Sequence, residues 1–327
     1  MRILITGGYG FFGYHLALSL KNLNCEILLV DIVPLEKFDK EFNRLLLNTN
    51  IEYVRLDLTN SNELKSLDRN FTHIIHLAAI LGVENVINNP YKVLSRNICM
   101  LDNIINFAIG TISKSTLLFA STSEVYAGTL FNSKLKFPTP EDSLLILPSL
   151  TSPRTSYMLS KIYGEALCFA SNLNTIILRP HNLYGPRMGM KHVIPQLIKK
   201  IHNTEINGEI GVFSPNHKRT FCFINDAVLQ VKALIEKEQN NDSLVFNLGN
   251  QNDEITMKEL SLLLIKIMDR KDLNVKELGN TLGSPERRCP LTSDLDAYTS
   301  IYKRTNIIKG IEETYNWYIK EKNSYLD

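Results

Sequence analysis

Long hydrophobic runs are missing from this 327-residue chain. No stretch approaches the length of a membrane span, and the apolar part of the opening "MRILITGG" is too short for a signal-peptide core because a glycine turn follows at once. Cysteine patterns are missing as well. Cys25, Cys99, Cys168, Cys222 and Cys289 are odd in number and scattered, with no CxxC and no Cys/His cluster. That argues against a disulfide framework and against a zinc or other metal site, and it fits structural thiols in a reducing, cytoplasmic setting. An excess of one charge is missing too. Lys and Arg number 36 against 34 Asp and Glu, a formal net charge of +2. Neither nucleic acid nor a membrane surface is therefore expected as the main partner. Short basic runs such as "NHKRTF" and "PERRCP" read as solvated loops. There is no internal repeat and no low-complexity linker.

What is present is ordinary for a soluble protein with a large core: 44% hydrophobic and 21% charged residues. The first half alternates. "RILIT", "EILLVDI", "IEYVRLDL", "THIIHLAA", "STLLFAS" and "NTIILRP" are short, nearly continuous apolar runs, and helical patterns lie between them, as at "FFGYHLALSLKNL", Tyr91–Phe107 and Ser156–Phe169. Buried strands separated by helices predict an α/β fold, a doubly wound parallel sheet of Rossmann type covered on both faces. After Pro180 turn formers increase. Helices are expected near Val193–His202, Ala227–Glu238, Thr256–Met268 and Gly310–Lys320, with a short strand at "LVFNLG". Residues 1–180 thus read as a dinucleotide-binding domain and 181–327 as a smaller C-terminal, substrate-binding lobe, across a boundary that the chain is free to recross.

The stretch "TGGYGFFG" places Gly7, Gly10 and Gly13 directly after the first strand and at the opening of the first helix, with Phe11 and Phe12 between the last two. Gly7 permits a tight turn, Gly10 lets backbone approach a pyrophosphate at a helix N-terminus, and Gly13 lets the helix pack closely on the sheet. Asp31 ends the second strand, where a carboxylate accepts bonds from ribose hydroxyls and repels a 2′-phosphate. NAD is thereby favoured over NADP. The bland alternative is a ligand-free glycine turn with Asp31 as a helix cap. Asp57 and Leu58, at the end of the third strand, are placed near an adenine edge. In "HLAA" the small residues after Leu77, Ala78 and Ala79, would let the cofactor lie against the strand end, while His76 reads as a packed, satisfied histidine.

Two further stretches carry chemistry. "ASTSEVY" ends the fifth strand, so Ser121, Thr122, Ser123 and Glu124 stand where open α/β sheets bind ligands. Plain turn chemistry explains the same residues. "SYMLSK" puts Tyr157 and Lys161 on one helix face at i and i+4, as a phenol with a neighbouring cation or as an amphipathic surface pair.

Taken together, "TGGYGFFG", "HLAA", "ASTSEVYAG", "PRTSYMLSKIYGE", "LRPHNLYGPR" and "RTFCFINDA" resemble, in order and over residues 1 to about 230, the extended short-chain dehydrogenase/reductases of the nucleotide-sugar epimerase/dehydratase group. The resemblance implies an NAD-dependent enzyme that oxidises a nucleotide-diphosphate sugar at C4. Tyr157 would be the base. Lys161 would be its partner and a holder of the nicotinamide ribose. Thr122 would bond the reacting hydroxyl, and Asn97 would lie near the active site on the cofactor side. Lys161 and the nicotinamide ring would together bring the Tyr157 pKa from about 10 toward neutrality. Ser123, Asn182, Val193, Arg219 and Arg287 would face the substrate. Glu124 in Thr-Ser-Glu is similar to uronate decarboxylases and some dehydratases, and "SPERRCP" to a basic stretch of the decarboxylases, whereas simple 4-epimerases usually lack the Glu. Dehydratase, uronate decarboxylase, simple 4-epimerase and net C4 dehydrogenase stay open, beside a non-catalytic NAD-binding protein. "VYAG" in place of "VYG", His181 and the long segment 128–153 depart from the pattern, and His192 is a further candidate for lining the lobe. The helices at 91–107 and 156–169 resemble the family's dimer interface, which implies a homodimer.

Overall fold

The computed structural model describes residues 1–111, 115–132, 135–237, 243–281 and 283–320. They form two compact units. The first comprises Met1–Asn132, Leu144–Pro180 and Val228–Asn247, and the second Ser133–Ser143, His181–Ala227 and Leu248–Asp327.

The first unit alternates along the chain: β1 (Arg2–Thr6), α1 (Phe11–Leu20), β2 (Glu26–Asp31), α2 (Lys40–Leu45), β3 (Ile51–Arg55), α3 (Ser61–Leu64), β4 (His73–His76), α4 (Val83–Asn88), α5 (Pro90–Ile109), β5 (Thr116–Ala120), α6 (Ala127–Phe131), α7 (Pro153–Ala170) and β6 (Asn174–Pro180). The sheet runs Leu244–Leu248, β6, β5, β4, β1, β2, β3. Strands β1 to β6 pair in parallel, in register at Ile5↔Leu29, Ile5↔Ile75 and Leu118↔Ile176. This is the doubly wound order, with its reversal between β1 and β4. The continuous apolar strands follow from burial on both faces: all five residues of β5 are buried. One core cluster joins Leu4, Val30, Leu56, Ile74, Leu117 and Ile177 of the strand layer to Leu101, Ile104 and Ile105 of α5. The strand at "LVFNLG", which sequence order groups with the second lobe, is the sheet edge beside β6. Periodicity identifies a strand without naming its neighbour.

Prolines at the first positions of α5 and α7 suit helix starts, where a missing N–H costs nothing. For that reason α5 begins one residue, and α7 three residues, before the stretch its apolar periodicity marks. They pack on each other. Gly164 of α7 faces the sheet. A Cβ there would lie 2.7 Å from Phe119 Cζ and 2.8 Å from Leu101 Cδ2, so only a glycine lets the helix sit this close.

In the second unit, Val193–Asn203, Met257–Ile267 and Ile307–Lys320 are helices. Helix Ile224–Glu236 stops short of the expected Glu238, which lies outside the described residues. Short strands pair Lys218–Arg219 with Arg287–Arg288 in parallel and with Ile255–Thr256 antiparallel.

Gly7 takes φ +70°, the left-handed region that glycine occupies without strain. Gly13 corrects the expectation from sequence. Its missing side chain accommodates the loop, not the sheet: a Cβ would lie 2.3 Å from the Gly7 carbonyl oxygen and 2.9 Å from Gly8 Cα. Urea unfolding of Gly13→Ala is therefore expected to show a loss of about 1–3 kcal/mol. A midpoint equal to the parent's would remove this packing constraint.

Candidate active site

The turns after β1 and β4 lie side by side where the strand order reverses. A Cβ on Gly7 would stand 2.9 Å from the Ala78 nitrogen. Leu77 N–H donates to the Thr6 carbonyl at 3.2 Å and Ala78 N–H to Thr6 Oγ1 at 3.3 Å. The first turn of α1 starts at Gly10 with no side-chain cap and no acidic residue, which leaves a helix N-terminus suited to an anion. Phe11 and Phe12 open that turn and are partly buried. At the end of β2, Asp31 accepts from Tyr9 N–H at 3.2 Å on one oxygen and from Ile32 N–H at 2.8 Å on the other. Its carboxylate is thus braced by backbone, half-exposed, and not a helix cap. A glycine turn, a bare helix start and a braced carboxylate fit a dinucleotide with a free 2′-hydroxyl.

Other expected cofactor residues are placed differently. Asp57 turns back onto Thr59, accepting from its N–H at 2.9 Å and its hydroxyl at 2.8 Å, and the backbone bond holds its carboxyl below the usual range. The Leu58 side chain lies in the core, and its carbonyl accepts from Asn103 at 2.8 Å. Asn97 uses its amide on the strand-end loop: Ile80 N–H donates to Oδ1 at 2.8 Å and Nδ2 donates to the Ile80 carbonyl at 3.0 Å. It braces the segment after Leu77, Ala78 and Ala79. His76 is buried, 2.8 Å from Thr6 Oγ1, and stacked near Phe119, as a satisfied histidine should be. Burial lowers its pKa from 6.5 to about 3, with Lys161 pushing the same way.

The chemically suggestive residues converge. Thr122 ends the strand and caps the turn Ser123–Tyr126, accepting from Glu124 N–H at 3.2 Å. Ser123 is buried beneath that turn. Tyr157 and Lys161 stand on the face of α7 that Gly164 presses against the sheet. Lys161 Nζ donates to the Ala120 carbonyl at 2.7 Å, 4.8 Å above the Phe119 ring and 5.9 Å from the Tyr157 ring centre. The Thr122 hydroxyl faces the Tyr157 phenol closely enough to lower its pKa. Burial draws Lys161 down to about 8, against Cys168 and Glu165, which pull it up. The chain's own groups act on Tyr157 in the opposite direction. Burial pushes its phenol up to about 12, Thr122 opposes, and the Glu124 carboxylate adds to the rise. The chain's own groups thus do not lower this pKa: Lys161 points at a carbonyl, and desolvation exceeds the help of one hydroxyl.

In the second unit Asn182, Arg219 and Arg287 lie on neighbouring segments, with separate side-chain partners. Asn182 Nδ2 donates to the Thr220 carbonyl at 2.8 Å, and Arg288 and Arg219 face each other across paired strands. The buried Arg219 guanidinium bonds Ser284 Oγ at 3.3 Å and the Pro285 carbonyl. Arg287 pairs with Glu254 at 2.7 Å and lies 4.9 Å over the Phe137 ring. Val193 opens its own helix and is exposed. Sequence reasoning missed Glu165, Arg179 and Tyr126, which form a buried polar set beneath the 121–126 turn. The signal was there in "SKIYGE", with Glu165 four residues after Lys161, and in Arg179 near the end of a buried strand.

The sequence model of the NAD dependent epimerase/dehydratase family matches residues 3–249. The chain belongs to that family. UDP-N-acetyl-alpha-D-glucosaminuronate decarboxylase of Bacillus cytotoxicus is 27% identical over 337 residues, covering 98% of this chain and 99% of that protein. UDP-glucuronic acid decarboxylase 3 of Arabidopsis thaliana is 29% identical over 297 residues, covering 89% and 81%. Among solved structures, UDP-glucuronic acid 4-epimerase of Bacillus cereus, in complex with UDP-glucuronic acid and NAD, has a TM-score of 0.81 at 25% identity and covers 98% and 100%. Like its family, the chain is an NAD-dependent enzyme of nucleotide-sugar chemistry with a Rossmann-type sheet.

The depressed His76 has a consequence for stability. The unfolded chain takes up a proton at this side chain below about pH 6.5 and the folded chain does so only near 3, so stability is full above 6.5 and falls as pH drops through that window. Denaturant titrations from pH 8 to 4 are expected to show that fall, with a shallower slope in His76→Asn. An equally steep slope in the variant would assign the acid sensitivity elsewhere.

Proposed function

We propose that the enzyme acts on a UDP-activated uronic acid, oxidising C4 and then releasing CO2 from C6. The observation that carries this reading is the convergence of Thr122, Glu124, Tyr157 and Lys161 beside the glycine turn. It is supported by relatives named as uronate decarboxylases and by a structural neighbour solved with UDP-glucuronic acid.

Gly7, Gly10, Gly13 and Asp31 hold NAD, which when bound supplies the hydride acceptor and a positive ring charge. Lys161 orients the nicotinamide ribose. Tyr157 removes the O4 proton as the hydride leaves C4, and Thr122 holds O4 and the phenol in line. The resulting C4 ketone is β to the C6 carboxylate. The C5–C6 bond then breaks with its electron pair passing into an enolate at O4, and CO2 departs. Glu124 delivers the proton that C5 takes up. C4 regains its hydride, and Tyr157 returns the proton to O4, so the net change is one CO2 lost and one proton gained. We assign residues 1–180 chiefly to NAD and 181–327 chiefly to the sugar nucleotide, with Asn182 and Arg219 on the diphosphate, and Val193 and Arg287 also facing substrate.

A second reading, simple 4-epimerisation of the same uronate, is favoured by the name of the solved neighbour. The two differ in whether the carboxylate survives the ketone stage. Mass spectrometry and NMR of UDP-glucuronic acid incubated with enzyme and NAD in deuterated water decide it. The expected product has lost CO2 and carries deuterium at C5, and an unchanged mass would establish the epimerase. Loss of water or of two hydrogens from any sugar nucleotide would install a dehydratase or a net dehydrogenase instead. Glu124→Gln should slow CO2 release by about 10²–10⁴-fold, as expected for losing a positioned acid or base, and Tyr157→Phe should lose C4 oxidation by at least as much. A Glu124→Gln enzyme that decarboxylates at the parent's rate removes Glu124 from the scheme.

We also propose a cytoplasmic homodimer formed through α5 and α7. The five free thiols support the compartment. Two exposed aromatic residues of α7, Tyr163 at 47% and Phe169 at 50%, support the interface. Light scattering at micromolar concentration should report a dimer that Tyr163→Glu weakens. A monomer in the parent protein would refute this interface.

A further inference from the structure

Beneath the Tyr157–Lys161 pair lies a second set of polar groups for which the reaction scheme has no use. Glu165 stands one helical turn beyond Lys161 on α7. Its Oε1 accepts from Ser121 Oγ at 2.5 Å and from Arg179 Nε at 3.0 Å, and its Oε2 accepts from Arg179 Nη2 at 2.7 Å. Arg179 Nη1 donates to Tyr126 Oη at 2.7 Å, and Tyr126 donates to Asn247 Oδ1 at 2.9 Å. The guanidinium also lies 5.0 Å over the Tyr126 ring. Ser121, Tyr126, Glu165, Arg179 and Asn247 are all buried. An ion pair held this deep stabilises a fold no better than well-packed apolar groups of the same size. Its placement therefore calls for a use other than stability.

The connectivity supplies one. The network grips both ends of one short segment: Ser121 through Glu165, and Tyr126 through Arg179 and Asn247. Between the two grips lie Thr122, Ser123 and Glu124. On its other side, Glu165 is rigidly spaced from Tyr157 and Lys161, because all three ride on α7. We propose that Glu165 and Arg179 are positioning residues that clamp the 121–126 turn to α7 and so fix Thr122 and Glu124 relative to Tyr157. The proposal rests on the reading of Tyr157 as the base.

Charge gives the clamp a second effect. The groups facing Lys161 are Tyr157, Glu165 and Cys168 of its own helix, His76 of β4, and the Phe119 ring and Ala120 carbonyl of β5. Burial draws the ammonium down, and Cys168 and Glu165 oppose it. The Cys168 thiol is itself pushed up to about 12 by burial and stays neutral at working pH, as does His76 at about 3. Glu165 is then the charge that keeps Lys161 protonated. Replacing it with an amide lets the lysine lose its proton at a lower pH.

Two variants separate these effects. Ser121→Ala cuts the link between turn and helix while Glu165 and Arg179 stay paired. It is expected to lower kcat about tenfold, with KM values for NAD and sugar nucleotide within about twofold, since misplacement of a catalytic group acts on the chemical step. Glu165→Gln keeps acceptor and shape but not the charge, and should move the alkaline limb of the kcat profile to lower pH, which Glu165→Asp should restore in part. Tyr126→Phe, which cuts the other grip, serves if Glu165→Gln fails to fold, and it too should lower kcat with KM little changed. Parental kcat in Ser121→Ala and in Tyr126→Phe, or an unmoved alkaline limb in Glu165→Gln, would reduce the network to a structural role. Full activity in Tyr157→Phe would instead overturn the reading of the site on which the proposal rests.

Discussion

With any side chain in place of Gly164, α7 would stand off from β5, because a Cβ there meets Phe119 and Leu101 well inside van der Waals distance. The rest of the site follows from that close seat. It brings Lys161, one turn earlier, down to the Ala120 carbonyl, and Glu165, one residue later, down to Ser121. It also carries Tyr157 to the Thr122 hydroxyl. A helix riding higher would leave an ammonium and a carboxylate in an apolar interface without partners, at a cost of several kcal/mol each. Polar chemistry and tight packing here are one constraint.

The electrostatics divide the work between chain and cofactor. Left to itself, the interior favours the neutral forms, raising Tyr157 to about 12 and lowering Lys161 to about 8. The protein supplies orientation, dryness and one hydroxyl. A low-dielectric site is costly for a resting charge, and it amplifies any charge that binding brings in. In the proposed reaction, such a site keeps Tyr157 neutral until cofactor and substrate are bound.

How much of this could be read in the sequence depends on the kind of interaction. The six strands from "RILIT" to "NTIILRP" were legible because a two-sided sheet demands unbroken apolar runs, and the glycine turn because its spacing and its context coincide. The Tyr157–Lys161 pair was legible through helical spacing and resemblance. Four things were not. The edge position of Leu244–Leu248 depends on a return of the chain that no local pattern encodes. The amide of Asn97 reads as a ligand group in sequence, yet it binds the Ile80 backbone, a partner known only once two segments meet. The direction of the Tyr157 shift depends on how completely water is excluded, which i,i+4 spacing does not report. The pairing of Glu165 with Arg179 was not, because their positions hint at burial while their meeting depends on the fold.

Thr122 serves two neighbours through one oxygen. One lone pair accepts the Glu124 N–H at the start of the turn, and the same hydroxyl faces the Tyr157 phenol, whose pKa it lowers. A hydroxyl keeps a second lone pair and a proton that can rotate. It can therefore meet the phenol as acceptor and a phenolate as donor. The turn that shapes the strand end thus also fixes, beside Tyr157, a group able to follow that oxygen through both of its protonation states.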